Sequence, residues 1–169
     1  RKHRVNPTLP LAKLKAMAKD PTFLFSMDDA RYPYVATTYR VTEHWQTGVM
    51  TRHTPWLLEM VPQQFVEMSK ELAAEKGIKG GDILKVSSAR GELHAVAVVT
   101  SRFKPFKVGG STVHQIGMPW CFGWQYPVHG RQGDSANLLT PFIGDANTMI
   151  PESKAFMVNI AKSTPAPLK

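Results

Sequence analysis

The sequence predicts a mainly β protein with short helices, folded as a small closed or nearly closed barrel. Three features carry that expectation. Short β-branched and aromatic runs recur between Tyr34 and Ile160. Only one segment after residue 30 has a clear helix signature, and long Gly-, Pro- and Trp-bearing stretches separate the strands.

Residues 1–30 mix Pro7, Pro10 and Pro21 with basic residues and read as a linker or wrapping arm, in which Leu9, Leu11, Leu14 and Met17 form a weak amphipathic pattern. Tyr34–Tyr39 is a strand by composition. Phe65–Met68 is a second, followed by Ser69 as the N-cap of a helix Lys70–Lys76 that Gly77 ends. Ile83–Ser88 and Glu92–Thr100 form a hairpin around Ala89-Arg90-Gly91. Val108–Val113 is a further turn and strand, the chain from Ile116 to Gly133 is irregular, and Lys154–Ile160 is the closing strand. The barrel domain should therefore occupy residues 31–162, with 163–169 a loose tail.

The chain has 169 residues, 43% of them hydrophobic, enough for one cored domain. Its longest apolar run, about Ala95–Val99, is far short of a membrane span. Cys121 is the single cysteine, which excludes a disulfide framework and Cys-rich metal centres held by this chain alone. The sequence opens at Arg1, with no apolar core of a signal peptide, and is read as processed or as one segment of a longer polypeptide. One cysteine fits a cytoplasmic or a periplasmic setting, so localisation stays open.

The formal charge of +8 is uneven, because residues 1–19 carry six Lys and Arg and no acid. Such an arm suits an anionic partner or simple solvation. A basic nucleic-acid-binding barrel is the outside alternative. It needs exposed aromatics among the cations, and the arm has none before Phe23, so nucleic acid is not an expected partner.

Three clusters could carry a ligand. The first, Arg40 to Arg52, gathers guanidinium forks, hydroxyls and a glycine beside Trp45, the donor set that a phosphate or pterin-like group requires. The second, Val113 to Trp124, places Trp120, Phe122 and Trp124 two apart among glycines, suited either to a planar ligand or to covering the barrel's end. Cys121 within it reads as a buried thiol. The third joins Gly133–Thr140 to Pro151–Lys154. Asn137 offers a donor and an acceptor to a base or pterin edge, and Lys154 is a point charge, although turn chemistry explains much of that composition. No P-loop, GxGxxG, HExxH or GxSxG is present, so no catalytic residues and no metal ligands are assigned.

Read together and in order, these clusters resemble the C-terminal molybdopterin-dinucleotide-binding domain of formate dehydrogenase catalytic (alpha) subunits, in the molybdenum/tungsten bis-pterin oxidoreductases. The resemblance covers roughly residues 30–162. It runs through Thr37–Arg52 (TTYRVTEHWQTGVMTR), Gly77-Ile78, Gly81-Asp82, Arg90-Gly91, His114 with Pro119-Trp120, Gly133–Thr140 and Pro151–Phe156.

The resemblance implies a double-psi β-barrel binding molybdopterin guanine dinucleotide (bis-MGD) with Mo or W. By it, Arg40, Thr42, Glu43, His44, Gln46, Thr47, Gly48 and Thr51 form the leading contacts, joined by His114, Trp120, Asn137, Ser153 and Lys154. The family often has Tyr where Ser153 stands. It implies reversible oxidation of formate to carbon dioxide, with this domain inactive alone. The metal ligand would belong to a larger catalytic subunit or N-terminal portion, with iron–sulfur clusters only in partner chains, among them electron-transfer subunits, and no membrane span. Nitrate, sulfur or formylmethanofuran chemistry in the same superfamily is the nearer alternative.

Overall fold

A computed structural model describes residues 29–123, 135–141, 148, 150–151 and 153–164. The helix considered near Leu9–Met17, and most of the arm and tail, lie outside the described residues. Among the described residues eight strands run in chain order: β1 (Tyr34–Tyr39), β2 (Phe65–Met68), β3 (Ile83–Ser87), β4 (Glu92–Val99), β5 (Phe106–Val108), β6 (Ser111–Val113), β7 (Gln115–Pro119) and β8 (Phe156–Lys162). Two six-residue helices, α1 (Pro55–Met60) and α2 (Lys70–Glu75), and 3-10 turns at Thr51–His53 and Ala136–Leu138 also lie among these residues.

Six strands close a barrel in the order β1-β7-β2-β4-β3-β8, while β5 and β6 form a separate hairpin. This is the closed double-psi barrel expected from the sequence. Strands β1 and β7 run parallel, as do β2 and β4. Strict alternation fills the interior: Tyr34, Ala36 and Thr38 from β1, Leu93, Ala95 and Ala97 from β4, and Phe156, Val158 and Ile160 from β8 point inward. Small Ala36, Ala95 and Ala97 leave room for Phe156, Leu84 and Met68, as a narrow barrel demands.

Local chemistry sets the ends. The Ser69 hydroxyl accepts from the Leu72 amide at 3.1 Å, capping α2. Gly77, at φ 62°, turns the chain left-handed so that Ile78 N–H reaches Ala73 O at 2.8 Å and Gly77 N–H reaches Ala74 O at 3.2 Å, a Schellman closure.

Three sequence expectations need correction. The stretch from Ile116, read as irregular, begins as strand β7, buried between β1 and β2; Gly117 and Pro119 broke the strand signal, although a barrel strand tolerates both at a crowded crossing. The closing strand is Phe156–Lys162, because Ser153-Lys154-Ala155 is spent on the turn into it. The Val108–Val113 turn and strand is a full hairpin from Phe106, turning at Gly109-Gly110. Helix α1 was not expected; it is short and opens with Pro55, which suits its first turn.

Gly117 sets one crossing. A Cβ there would lie 2.4 Å from Phe103 Cζ and 2.6 Å from Tyr39 Cε1, so both rings lie across β7 on its outer face. The Tyr39 hydroxyl donates to Glu67, whose carboxylate also receives Arg102, and Arg102 stacks 5.2 Å over the Tyr39 ring. Burial, then the bond to Glu67, pushes the Tyr39 phenol well above its ordinary value, so it stays a donor. We predict that Gly117→Ala costs about 1–3 kcal/mol in denaturant unfolding, because the Tyr39 ring is pinned and cannot retreat freely. An unfolding midpoint equal to wild type would contradict this packing.

Candidate functional site

Because β1 and β7 are parallel, with Tyr39 opposite Pro119, the loops that follow them leave from the same rim of the barrel. Trp120 N–H donates to Tyr39 O at 3.2 Å and Gln64 Nε2 to Pro119 O at 2.8 Å, fixing both exits. Strand β8, antiparallel to β1, begins at this rim and brings Ser153 and Lys154 to it.

The loop after β1 is wound around Thr51. The Thr51 hydroxyl oxygen accepts from Trp45 N–H at 3.0 Å and lies 3.3 Å from His44 Nδ1. His44 Nε2 is 2.8 Å from the Val61 carbonyl, which can only accept, so Nε2 carries the proton and Nδ1 accepts from Thr51. His44 is buried, its ring edge-on to Phe122 at 5.6 Å. Gln46 at φ 50° and Gly48 at φ 76° make the tight bend. Gly48 leaves no room for a side chain: a Cβ would meet the Cys121 carbonyl oxygen at 2.7 Å. Arg52 is buried beneath the bend, donating through Nε to Gly48 O at 3.3 Å and through a terminal nitrogen to Thr47 O at 3.4 Å, with its guanidinium 5.6 Å over Phe122. Burial pushes the Cys121 thiol up to about 11, leaving a protonated core side chain.

Between this loop and the segment after β7 lies a cleft of about 220 Å³, lined by Thr47, Val49, Arg52, Trp120, Phe122, Gly123, Ser135 and Asn137. Ser135 caps the turn that carries Asn137, its hydroxyl accepting from Asn137 N–H at 3.2 Å. The Trp120 ring joins the cleft to a cationic edge, since the exposed Arg40 guanidinium stacks 5.6 Å over it. The Lys154 ammonium donates to Thr38 O, and the inward Thr38 hydroxyl donates to Ser153 O at 2.9 Å. Burial, then the Arg40 charge, lowers the Lys154 ammonium below the ordinary lysine value. Arg40, over the indole face, is thus near enough to Lys154 for its charge to act on that ammonium, so this edge of the rim carries two neighbouring cations.

Arg40, Thr47, Trp120, Asn137, Ser153 and Lys154 are thus brought to one rim. Gly48, Gln46, Thr51 and His44 shape the loop that forms it, His44 with both nitrogens engaged inside the chain. Thr42 is exposed and Glu43 half-buried in the same loop. His114 is not brought there. It precedes β7, at the opposite end of the barrel, about 20 Å away at about 3.3 Å per residue. There its Nε2 lies 3.3 Å from Glu75 and its ring stands edge-on to Tyr34. Of the residues that line the cleft, the expected set omitted Val49, Arg52, Phe122, Gly123 and Ser135. Phe122, two residues beyond Trp120, carried a signal in that spacing; Arg52 stood out as the end of the polar run from Arg40, but nothing in the sequence signalled its burial.

The chain matches the family described as the molydopterin dinucleotide binding domain over residues 34–157. It is 59% identical over 135 residues to formate dehydrogenase subunit alpha of Megalodesulfovibrio gigas, covering 80% of this chain and 13% of that protein. It is 50% identical over 133 residues to the nitrate-inducible formate dehydrogenase major subunit of Escherichia coli (strain K12), covering 79% and 13%. A nitrate reductase of Symbiobacterium thermophilum is more distant, 31% identical, covering 86% of this chain and 17% of that protein. Acetylene hydratase from Pelobacter acetylenicus shares the fold, with a TM-score of 0.59 at 16% identity, covering 78% of this chain and 18% of that one. The chain thus spans a small fraction of the curated relatives it matches.

Two outcomes follow from the geometry. Thr51→Val should speed hydrogen exchange at the Trp45 amide and cost about 1–3 kcal/mol, with Thr51→Ser restoring both, because only the hydroxyl bridges Trp45 and His44. Unchanged exchange in Thr51→Val would contradict the hub. In cofactor-free protein the Lys154 ammonium should titrate below 10.5, and Arg40→Gln should raise its midpoint only in part, since burial is the larger cause. The sign for stability follows. The charged form is disfavoured in the fold, so that cost is present at low pH and disappears as pH rises from the folded midpoint to 10.5. Nitrogen NMR of Lys154 checks it; a midpoint at or above 10.5 would contradict it.

Proposed function

The chain belongs to the molybdopterin dinucleotide-binding domain family, and from that premise we propose that it is the cofactor-clamping part of a formate dehydrogenase, which oxidises formate reversibly to carbon dioxide. The observation that carries this reading is the pair of neighbouring cations Arg40 and Lys154 on the rim, with Arg40 over the Trp120 ring that lines the cleft. That donor set fits an anionic, planar, nucleotide-bearing group. Arg40 and Lys154 hold phosphate or pterin oxygens by charge-assisted hydrogen bonds, Trp120 offers an apolar face, and Asn137 reads an edge with one donor and one acceptor. The loop held by Thr51, His44 and Arg52 presents Thr47 and the bend at Gly48 to the same cleft.

We assign the group as molybdopterin guanine dinucleotide, in the bis-MGD form with molybdenum or tungsten. When bound, the pterin-held metal supplies the two-electron redox chemistry, and this chain supplies position, charge neutralisation and exclusion of water. The metal ligand belongs to the larger catalytic portion, and iron–sulfur clusters belong to partner chains. The formate dehydrogenase subunits that the chain matches at 50% and 59% identity support this choice over nitrate chemistry, whose relative stands at 31%.

In the complete enzyme, Arg40→Ala should lower pterin and guanine retention after gel filtration by about tenfold or more, the loss of a charge-assisted contact of about 1.5–3 kcal/mol. Arg31→Ala should leave retention unchanged, since Arg31 is exposed and pairs with Asp29. Equal content in both variants would overturn the assignment of Arg40. Turnover of formate with an artificial acceptor decides the substrate; none would favour the nitrate-type alternative.

A further inference from the structure

Large apolar side chains are unusually exposed along one short stretch. Trp45 is 62% exposed, Met50 67%, Trp56 67% and Met60 65%, with Val49 among them. Nine large exposed hydrophobic residues occur among the described residues, and five of them fall between 45 and 60. A surface that faces only water disperses such groups. In α1, Leu58 turns inward to pack with Cys121 and Phe122, while Trp56 and Met60, one helical turn apart, share a face turned out to solvent. The segment's Lys, Arg, Asp and Glu residues are only Arg52, buried under the bend, and exposed Glu59. Val49, next to Met50 in the chain, lines the cleft itself, so the exposed apolar stretch begins at the cleft's wall.

We propose that the face of Trp45, Met50, Trp56 and Met60 is the seam on which the metal-bearing catalytic portion of the enzyme sits. The proposal rests on the cofactor reading above and adds the surface that closes the clamp. Two observations select this occupant. The chain makes up only 13% of the formate dehydrogenase subunits it matches, so a body several times larger accompanies the fold in them. That body must approach the dinucleotide from the side this chain leaves open, and the loop lining the cleft is the loop that carries the apolar face. The β5–β6 hairpin also exposes Phe106 and Val108, but it leads into His114 at the far end of the barrel, away from the cleft. With few charges in the segment, the seam forms by apolar burial and its closure should depend little on salt.

The test uses the complete enzyme. Trp56→p-benzoylphenylalanine is irradiated and its crosslinks are mapped by mass spectrometry. In parallel, hydroxyl-radical oxidation of Met50 and Met60 is measured in unmodified enzyme. Fully buried Met68 and Met118 set the floor, and urea-unfolded protein sets the ceiling. The seam predicts crosslinks within the portion carrying the metal ligand and loss of Met50 and Met60 labelling to near the floor. Crosslinks to an electron-transfer subunit or to a second copy, or labelling of Met50 and Met60 at the ceiling, would overturn it. The footprint decides this even if the Trp56 variant fails to fold. Pterin and guanine content of the same sample is read separately: their absence removes the cofactor reading, whereas the crosslink positions judge the seam.

Discussion

The parallel pairing of β1 with β7 is the constraint on which the site depends. Strands joined by a hairpin end at opposite rims relative to chain direction, but parallel neighbours send their following loops out together. Residues 40–53 and 120–123 are therefore neighbours despite lying about eighty positions apart in sequence. The exits are tied by backbone and amide hydrogen bonds at Tyr39, Pro119 and Gln64, and Gly117 lets the Tyr39 ring lie across β7 on its outer face. The barrel acts as a frame that converts two distant loops into the two walls of one cleft.

On that frame the electrostatics are arranged in advance of any ligand. Arg52, the most buried cation of the loop, is spent on backbone carbonyls and keeps the bend in shape. Arg40 and Lys154 remain at the rim, close enough that one lowers the proton affinity of the other. Holding two like charges near each other is unfavourable, a cost that an anion bound between them, as proposed, would offset. Trp120 contributes to both halves, one face lying under Arg40 while the ring lines the cleft.

Much of this was legible in the sequence. The alternation of Tyr34–Tyr39 and Glu92–Val99, the Ser69 cap and the glycines at 77 and 109–110 state their structure locally, and the structure follows them within a residue or two. Strand β7 did not, because Gly117 and Pro119 weaken a strand pattern and their justification lies in Tyr39 and Phe103, non-local partners no pattern reveals. The rim residues Arg40, Trp120, Asn137 and Lys154 could be named from their chemistry, but their convergence is a product of topology. His114 shows the converse. Its residue type suits a site, yet strand direction sends it to the other end, beside Glu75 on α2. Arg52 could be seen as part of a polar run, while its burial and its role beneath Gly48 required the folded loop.

The most direct measurement of the central claim is an experimental map of the complete enzyme at a resolution that shows the dinucleotide. The account predicts phosphate or pterin oxygens within hydrogen-bonding reach of Arg40 and Lys154, about 3 Å, with the ligand running along Trp120 and Asn137. Dinucleotide density at the His114 end of the barrel, or a rim open to bulk solvent and far from any pterin, would contradict it.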